Sequence, residues 1–305
     1  MYNTPILFLV FNRPDTTQVV FDRIREIMPS RLYVAADAPR EGRMEEAKRC
    51  EEVKAIIEQV DWPCSVKKLY RDKNLGCKRA ISSAISWFFE QEEYGVILED
   101  DCLPDLSFFP FCEELLIRYK DDERIGHIGG NCFLPQVVED GLSYDFCSVT
   151  HIWGWATWRR VWQRVDVDFP FWERYPSRRK SLFCNMWEEI YFNSFIPDAL
   201  YNKHGLNPWG VFYYFSLRLQ HQLSIYPAVN LVTNIGLGDP NATHTTSRGS
   251  NKLLVPSLSL SFPLKHPEYV LENKELNRKA IKHNFFSLQR LARYLFHRIM
   301  ACTHR

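Results

Sequence analysis

The strongest constraint on the fold is a regular alternation of short apolar segments and amphipathic segments across residues 5–129. The apolar segments predict strands, and the amphipathic segments, with apolar residues three and four positions apart, predict helices. Repeated strand–helix units of this kind fold into a mostly parallel sheet with helices on both faces. The predicted strands are 5–11, 31–36, 65–70, 96–98 and 125–129, and the predicted helices are 15–28, 44–60, 77–89 and 105–119.

The second half of the chain is less regular and rich in aromatic residues. Helices are predicted near 181–195 and 211–222, and a strand at 223–232. No linker separates the two halves, so we expect them to share one core. We therefore expect one domain with two halves, at 1–135 and 136–276, and a separate C-terminal segment at 277–305.

Composition excludes several classes of protein. The 305 residues carry a net charge of +1, which gives no reason to expect a nucleic-acid partner. The nine cysteines are scattered and form no Cys-x-x-Cys pair, which favours reduced thiols in a cytoplasmic protein over disulfides or a zinc site. The apolar run 6–11 stops at Asn12, so it predicts a strand and not a signal peptide. No apolar stretch is long enough for a membrane span.

The C-terminal segment 277–305 contains seven Lys or Arg residues and no acidic residue, with apolar residues at helical spacing. Two interpretations are open. The segment could be a closing helix packed on the domain, or a basic amphipathic helix that touches an anionic membrane surface from the cytoplasmic side.

Three consecutive acids, Glu99, Asp100 and Asp101, follow the apolar residues 96–98. In open parallel sheets, ligands bind beyond the carboxyl ends of the strands. Adjacent carboxylates repel each other, and Mg²⁺ or Mn²⁺, which prefer carboxylate oxygen, would remove that repulsion. A nucleotide-sugar diphosphate would complete the coordination, and the metal would stabilise charge on the departing nucleotide. The alternative is a solvated acidic turn that caps the following helix.

The acid triplet and the Phe-rich segment after it resemble the N-acetylglucosaminyltransferase I-like family, particularly its bacterial members. The resemblance implies a GT-A fold, with a Rossmann-like nucleotide-sugar half and an acceptor half, and an inverting transfer. It also implies a UDP-sugar donor, with Asp101 as the metal ligand and with Glu99 and Asp100 facing the ribose and the donor sugar.

Other segments follow in the order that the family shows. Residues 8–14 resemble its first strand, which implies that Arg13 contacts the nucleotide. Residues 34–37 resemble its second strand, which implies that Asp37 reads the base. Asn74 and Gly76 resemble a segment beneath the donor. Each has an ordinary structural alternative: an ion pair for Arg13, a turn for Asp37 and a helix-start turn for Asn74 and Gly76.

Two further segments resemble the family in its acceptor half. Residues 152–156 resemble the Gly-Trp loop after the metal strand, which implies acceptor contacts for Trp153, Gly154 and Trp155. Ordinary packing is the alternative for both tryptophans. Residues 234–236 and 242–244 resemble the closing segment of bacterial members, where His244 is either a metal or diphosphate ligand or a surface histidine.

An inverting transfer needs a general base that accepts the proton of the acceptor hydroxyl. Relatives often carry an acid after a tryptophan before the last strands, but here Gly210 follows Trp209. The base candidates that remain are Glu188, Glu189, Asp198 and Asp239.

The sequence thus predicts a metal-dependent glycosyltransferase that acts on a saccharide or glycolipid acceptor, in surface polysaccharide or lipopolysaccharide synthesis. A sugar nucleotidyltransferase is one alternative, although the chain lacks a Gly-rich loop after the first strand. A NAD-dependent enzyme would need Gly-x-Gly-x-x-Gly there, which is also missing. A non-catalytic sugar- or nucleotide-binding protein that retains the donor fold is the third alternative.

Overall fold

The computed structural model describes residues 1–134, 137–139, 141–205, 207–237, 253–288 and 290–292. Its strands are β1 Ile6–Val10, β2 Arg31–Ala36, β3 Ser65–Tyr70, β4 Tyr94–Glu99, β5 Cys102–Pro104, β6 Ile125–Gly129, β7 Tyr144–Cys147, β8 Trp155–Trp158, β9 Leu223–Pro227 and β10 Val232–Asn234. Its α-helices are α1 Pro14–Ile27, α2 Met44–Ile57, α3 Gly76–Phe89, α4 Phe108–Arg118, α5 Arg159–Trp162, α6 Phe171–Arg174, α7 Met186–Leu200, α8 Gly210–Leu219 and α9 Lys274–Phe285.

Eight strands form one sheet in the order β3-β2-β1-β4-β8-β6-β9-β7, and β10 pairs with β5 in a small second sheet. The strands β3, β2, β1 and β4 run parallel to one another, whereas β8 runs antiparallel to both β4 and β6. The predicted α/β architecture with a mostly parallel sheet is confirmed. From β1 the chain adds β2 and β3 on one side and β4 on the other, so the strand order reverses between β1 and β4. A crevice opens at such a point, at the carboxyl ends of the strands.

Helix α3 illustrates how the sequence produces this packing. Its buried face includes Ala84, Ile85 and Phe88, spaced one, three and four positions apart. It lies against β4, where a Cβ atom on Gly95 would come within 2.3 Å of the Phe88 ring. Glycine at position 95 therefore allows the helix to lie close to the strand. Burying a side chain such as Phe88 contributes roughly 1.5–3 kcal/mol to stability.

Several elements differ from the sequence-based expectation. Strands β5, β7 and β8 were not predicted, and the single strand expected at 223–232 is divided between the two sheets as β9 and β10. Helix α4 begins at Phe108, later than expected, because the Asp105 carboxylate accepts a hydrogen bond from the Ser107 amide at 2.8 Å and forms a turn there.

Two groups of buried apolar side chains form the interior. The first surrounds β1 to β4 and also contains Trp155 and Trp209 from later in the chain. The second lies among α7, α8 and α9 and includes Phe192, Phe215 and Ile281. The first group thus draws on both halves of the chain.

The C-terminal segment is packed on the domain where the structure describes it. The Asn273 side chain caps α9 by accepting a hydrogen bond from the Leu276 amide at 2.9 Å. Leu276, Ala280 and Ile281 are buried, and the helix ends at Phe285. Residues 293–305 of the predicted amphipathic helix lie outside the described residues. Within the described ranges, no helix has both the length and the apolar character needed to cross a bilayer.

Candidate active site

A cleft of about 520 Å³ opens at the carboxyl ends of β1, β2 and β4. Its position is the crevice beside the reversal of strand order, where open α/β sheets bind ligands. Most of the side chains that the sequence analysis selected lie together along this cleft. They are Arg13, Asp37, Asn74, Gly76, Glu99, Asp100, Asp101 and Trp153.

The acid triplet lies at the end of β4, next to the end of β1. The Asp100 carboxylate accepts a hydrogen bond from the Phe11 amide at 3.0 Å. Asp101 Oδ2 lies 2.8 Å from Arg13 Nη1, and each of these two side chains is 15% exposed. Arg13 thus pairs with the acid that the resemblance assigns to the metal, so the ion-pair interpretation and the site interpretation of Arg13 describe the same place.

The triplet holds more negative charge than Arg13 balances. Burial, with the charges of Asp101 and Asp100, raises the pKa of Glu99 to about 8. Burial and the charge of Asp101 raise the pKa of Asp100 to about 7. Arg13 opposes both shifts. A cation bound at this edge would relieve the repulsion that raises these pKa values.

The protein ligands at this edge fit a cation that a bound phosphate helps to hold. Among the described residues, no group of three or more His, Cys, Asp and Glu side chains is arranged to hold a metal ion. Mg²⁺ in nucleotide enzymes is usually held by one or two carboxylates together with waters and substrate phosphates. Asp101 is partly exposed at the mouth of the triplet, so its carboxylate is suited to be such a ligand.

The raised pKa values of Glu99 and Asp100 predict a pH dependence of stability in the metal-free protein. The unfolded chain would release these protons near pH 4, whereas the folded protein retains them up to pH 7–8. The contribution is therefore complete below about pH 4 and is lost as the pH rises through about 8. We expect the thermal unfolding midpoint to fall between pH 5 and 8.5. The double variant Glu99→Gln/Asp100→Asn should lack this component, and an equal fall in both proteins would contradict the assignment.

The segment after β10 lies directly on the Arg13–Asp101 pair. The Ile235 amide donates a hydrogen bond to the Asp101 carbonyl at 2.8 Å. A Cβ atom at Gly236 would come within 2.6 Å of Asp101 Oδ2 and 2.7 Å of Arg13 Nη1, so a larger residue there would displace this ion pair. Asp239 and His244, which follow in the chain, lie outside the described residues.

Asp37 has a role in a turn, as its structural alternative predicted, but mainly in a turn much later in the chain. Its carboxylate accepts hydrogen bonds from the amides of Leu75 at 3.0 Å, Gly76 at 3.0 Å and Ala38 at 3.0 Å. These bonds satisfy free amides at the start of α3. Burial raises the pKa of Asp37, and the amide hydrogen bonds oppose that rise. The carboxylate thus fixes the turn before α3, with little capacity left for reading a base.

Asn74 and Gly76 belong to the same turn. The Asn74 side chain donates a hydrogen bond to the Ala38 carbonyl at 2.6 Å. Gly76 has a φ of +73°, in the left-handed region that favours glycine. Both residues line the cleft, and the helix-start interpretation describes their contacts.

The three residues predicted for acceptor contacts have different surroundings. Trp153 lines the cleft. Gly154, with a φ of +68°, is buried, and a Cβ atom there would meet the Val232 side chain at 2.7 Å. Trp155 is fully buried in β8, with ring centroids 5.5 Å from His127 and 5.7 Å from Trp209. Its burial argues against an acceptor contact for Trp155, since no face of the ring reaches the cleft.

Glu188 is held in a buried ion pair. It is fully buried, and Arg218 Nη2 lies 3.2 Å from its Oε1 atom. The carboxylate also accepts hydrogen bonds from the Tyr214 hydroxyl and from the Cys184 amide, the latter at 2.6 Å. A carboxylate balanced and enclosed in this way cannot reach an acceptor hydroxyl. The geometry therefore argues against Glu188 as the catalytic base.

The two other acids of α7 do not line the cleft either. Glu189 is half-buried in the first turn of the helix and does not line the cleft. Asp198 lies 3.6 Å from Lys203 Nζ near the end of the helix. Among the described base candidates, none reaches the cleft, which leaves Asp239.

Sequence reasoning missed two groups of lining residues. Arg71 comes directly after β3, and Arg40 lies in the segment after β2. The rule that selected Arg13, a polar residue beyond a parallel strand, could have found both. Tyr191, Phe195 and Phe285 line the other side of the cleft. No local pattern marks these three, because their exposure depends on how α7 and α9 pack.

No known protein family matches this chain, and no curated protein matches it. Among solved structures, a mannosyltransferase from Pyrobaculum calidifontis in complex with GDP-Man and Mn²⁺ is 17% identical, with a TM-score of 0.39, over 54% of this chain and 47% of that chain. TarS 1–349 from S. aureus is 10% identical, with a TM-score of 0.38, over 53% and 49%. 4-Diphosphocytidyl-2C-methyl-D-erythritol synthase from Anaerococcus prevotii is 10% identical, with a TM-score of 0.32, over 63% and 84%. The alignment thus spans about half the length of the first two proteins.

Proposed function

We propose that this chain is a metal-dependent GT-A glycosyltransferase that transfers a sugar from a nucleotide-sugar donor, a UDP-sugar, to a saccharide or glycolipid acceptor. One observation carries the proposal. Three adjacent carboxylates and Arg13 converge in a single cleft at the carboxyl ends of β1 and β4, where the strand order reverses. This charge arrangement suits a diphosphate that enters together with a divalent cation.

The roles follow from the contacts. Asp101 would hold Mn²⁺ or Mg²⁺, and the cation would supply charge stabilisation to the departing nucleoside diphosphate. Arg13 donates a hydrogen bond to Asp101 in this structure, and its guanidinium N–H groups are suited to phosphate oxygens. Glu99 and Asp100 would face the ribose and the donor sugar. Asp37 would position the turn before α3 beneath the donor.

The base for an inverting transfer is proposed to be Asp239. It follows Gly236, which lies against Asp101, by three residues. We also propose His244 as a ligand of the metal or the diphosphate.

A second function is favoured by one specific feature. Among the described residues, the cleft wall opposite the triplet presents no carboxylate that could serve as a base. A donor-binding protein without transfer activity would have such a wall. Binding and turnover must therefore be measured separately.

The remaining part of the proposal concerns location. Arg278, Lys279 and Lys282 of α9 are exposed. We propose that this basic face holds a cytoplasmic enzyme of surface polysaccharide or lipopolysaccharide synthesis close to anionic lipid, since each such residue contributes about 1 kcal/mol at that surface.

The test is a screen of the purified full-length protein against a panel of nucleotide sugars with Mn²⁺, with nucleotide release as the readout. We expect release from at least one UDP-sugar, at or above roughly 1 per second with its acceptor and far slower without it. Binding of donors without release from any of them, with a range of saccharide acceptors present, would favour the binding protein over the transferase.

A further inference from the structure

The two walls of the cleft differ in charge. The wall formed by the ends of β1 to β4 carries four carboxylates and three arginines, Arg13, Arg40 and Arg71. The opposite wall is formed by residues 150–153, α7, the start of α8 and the end of α9. Among the residues that the structure describes on this second wall, none has a charged side chain.

Aromatic rings from α7 and α9 form much of the uncharged wall. Tyr191 and Phe195 stack with ring centroids 5.4 Å apart, and Phe285 lies 4.9 Å from Tyr191. All three side chains are half-buried, so part of each ring remains accessible. Tyr191 and Phe195 are four residues apart on α7, which places these two side chains on one face of the helix.

The described lining residues of this wall carry three hydroxyl groups, those of Thr150, Tyr191 and Tyr214, and two of these already have partners within the protein. The Tyr214 hydroxyl is engaged by Glu188 and by Arg218, the latter at 2.9 Å. The Thr150 hydroxyl lies 3.1 Å from the Ser224 hydroxyl. A sugar ring bound deep against this wall would lose hydrogen bonds to water without replacing them. The wall therefore suits an apolar group better than a chain of sugars.

The apolar surface continues beyond the cleft along α7. Trp187 precedes Tyr191 by four residues on α7. Phe286 packs against Trp187, with ring centroids 4.8 Å apart. The aromatic stripe Trp187–Tyr191–Phe195 extends over about 12 Å at the helical rise of about 1.5 Å per residue. The Arg290 guanidinium lies 4.1 Å from the centroid of the Tyr191 ring, so a chain bound along the stripe passes beside this side chain. Leu288, two residues after Phe286, is 71% exposed. A stripe of this length fits an extended alkyl chain, whereas a single aryl ring would cover only part of it.

We propose that this wall binds the alkyl chain of a lipid-linked acceptor, so that the acceptor is a glycoside with an apolar aglycone. The inference rests on the proposed function, because it assumes that the opposite wall holds the donor. The sugar of the acceptor faces the acid triplet, and its apolar aglycone leaves the cleft along the stripe of α7.

The experiment titrates full-length protein with methyl, butyl, hexyl and octyl β-D-glucoside below their micellar concentrations, followed by tryptophan fluorescence. Each methylene that becomes buried should raise affinity about fourfold. Equal affinity for all four glucosides would overturn the inference. Phenyl β-D-glucoside that binds as tightly as the octyl compound would also overturn it, in favour of an aryl site.

Variants locate the binding. Phe195→Ala and Phe285→Ala should each weaken octyl glucoside at least tenfold with little effect on the butyl compound. If the alanine variants unfold, Phe195→Gln replaces them in the test. Glutamine is closer in volume to phenylalanine than alanine is, and we expect this variant also to weaken octyl glucoside selectively. Tyr201→Ala is the matched control, because Tyr201 is a 58% exposed aromatic residue after the same helix and outside the cleft. Equal losses in the control and in the Phe195 variants would contradict the site.

A parallel titration with UDP and Mn²⁺ separates the two proposals. Tight UDP binding without any chain-length effect overturns the acceptor inference and leaves the donor site standing. A chain-length effect without UDP binding overturns the proposed function, and with it the assignment of the alkyl chain to an acceptor.

Discussion

Replacing Asp101 with asparagine is expected to reduce sugar transfer at least about 1000-fold while the fold remains intact. The side chain lies at the mouth of the triplet, 15% exposed, and its main contact is the ion pair with Arg13. Asparagine keeps the size of the side chain, and its amide oxygen can still accept the Arg13 hydrogen bond. The lost negative charge should therefore weaken cation binding, and with it leaving-group stabilisation, with little effect on packing.

Nucleotide release from the active donor measures this effect, and circular dichroism checks the fold. Asp121→Asn is a suitable control, because the Asp121 side chain is 88% exposed and remote from the cleft. It should retain full activity. A folded Asp101→Asn protein with activity close to that of the control would refute the role of Asp101.

The donor side of the fold was predictable because its signals are local. The strands β2 and β3 have the predicted bounds, since each is a short run limited by turn residues or a change in periodicity. Parallel strands with helical connections place their carboxyl ends at one edge. Glu99, the first acid of the triplet, follows Arg13 by 86 residues in the sequence. Arg13 and the triplet could nevertheless be expected to lie together at this edge of the sheet.

The strand β8 was not predictable, because the contacts that form it are not local. Trp155–Trp158 has no alternation of apolar and polar residues, because all four side chains are buried. The segment is a strand because it inserts between β4 and β6, pairing Ala156 with Val96 and Ile128. Pairing partners so distant in sequence leave no local signal, and the aromatic residues were consequently open to a binding interpretation.

The roles of Asp37 and Glu188 depend on the same kind of distant contact. Two of the three amide groups that engage Asp37 are 38 and 39 residues later in the chain. Arg218, which balances Glu188, is 30 residues away on another helix. Sequence identifies acids that follow a strand or begin a helix, but not whether an interior partner already neutralises them.

Removal of the divalent cation is the second change with a large expected effect. Above about pH 8, where Glu99 and Asp100 are ionised in the metal-free protein, a diphosphate would approach three adjacent carboxylates that only Arg13 partly balances. Coulomb repulsion at such distances costs several kcal/mol at the effective dielectric of a partly buried site. We therefore expect UDP to bind at least about 100-fold more weakly when a chelator replaces Mn²⁺.

Calorimetric titration of UDP into the full-length protein tests the metal-assisted donor site most directly. The account predicts tight binding with Mn²⁺ in excess, weak or undetectable binding with chelator, and almost no effect of Mn²⁺ in Asp101→Asn. Equal UDP affinity of the wild-type protein with Mn²⁺ and with chelator would contradict it.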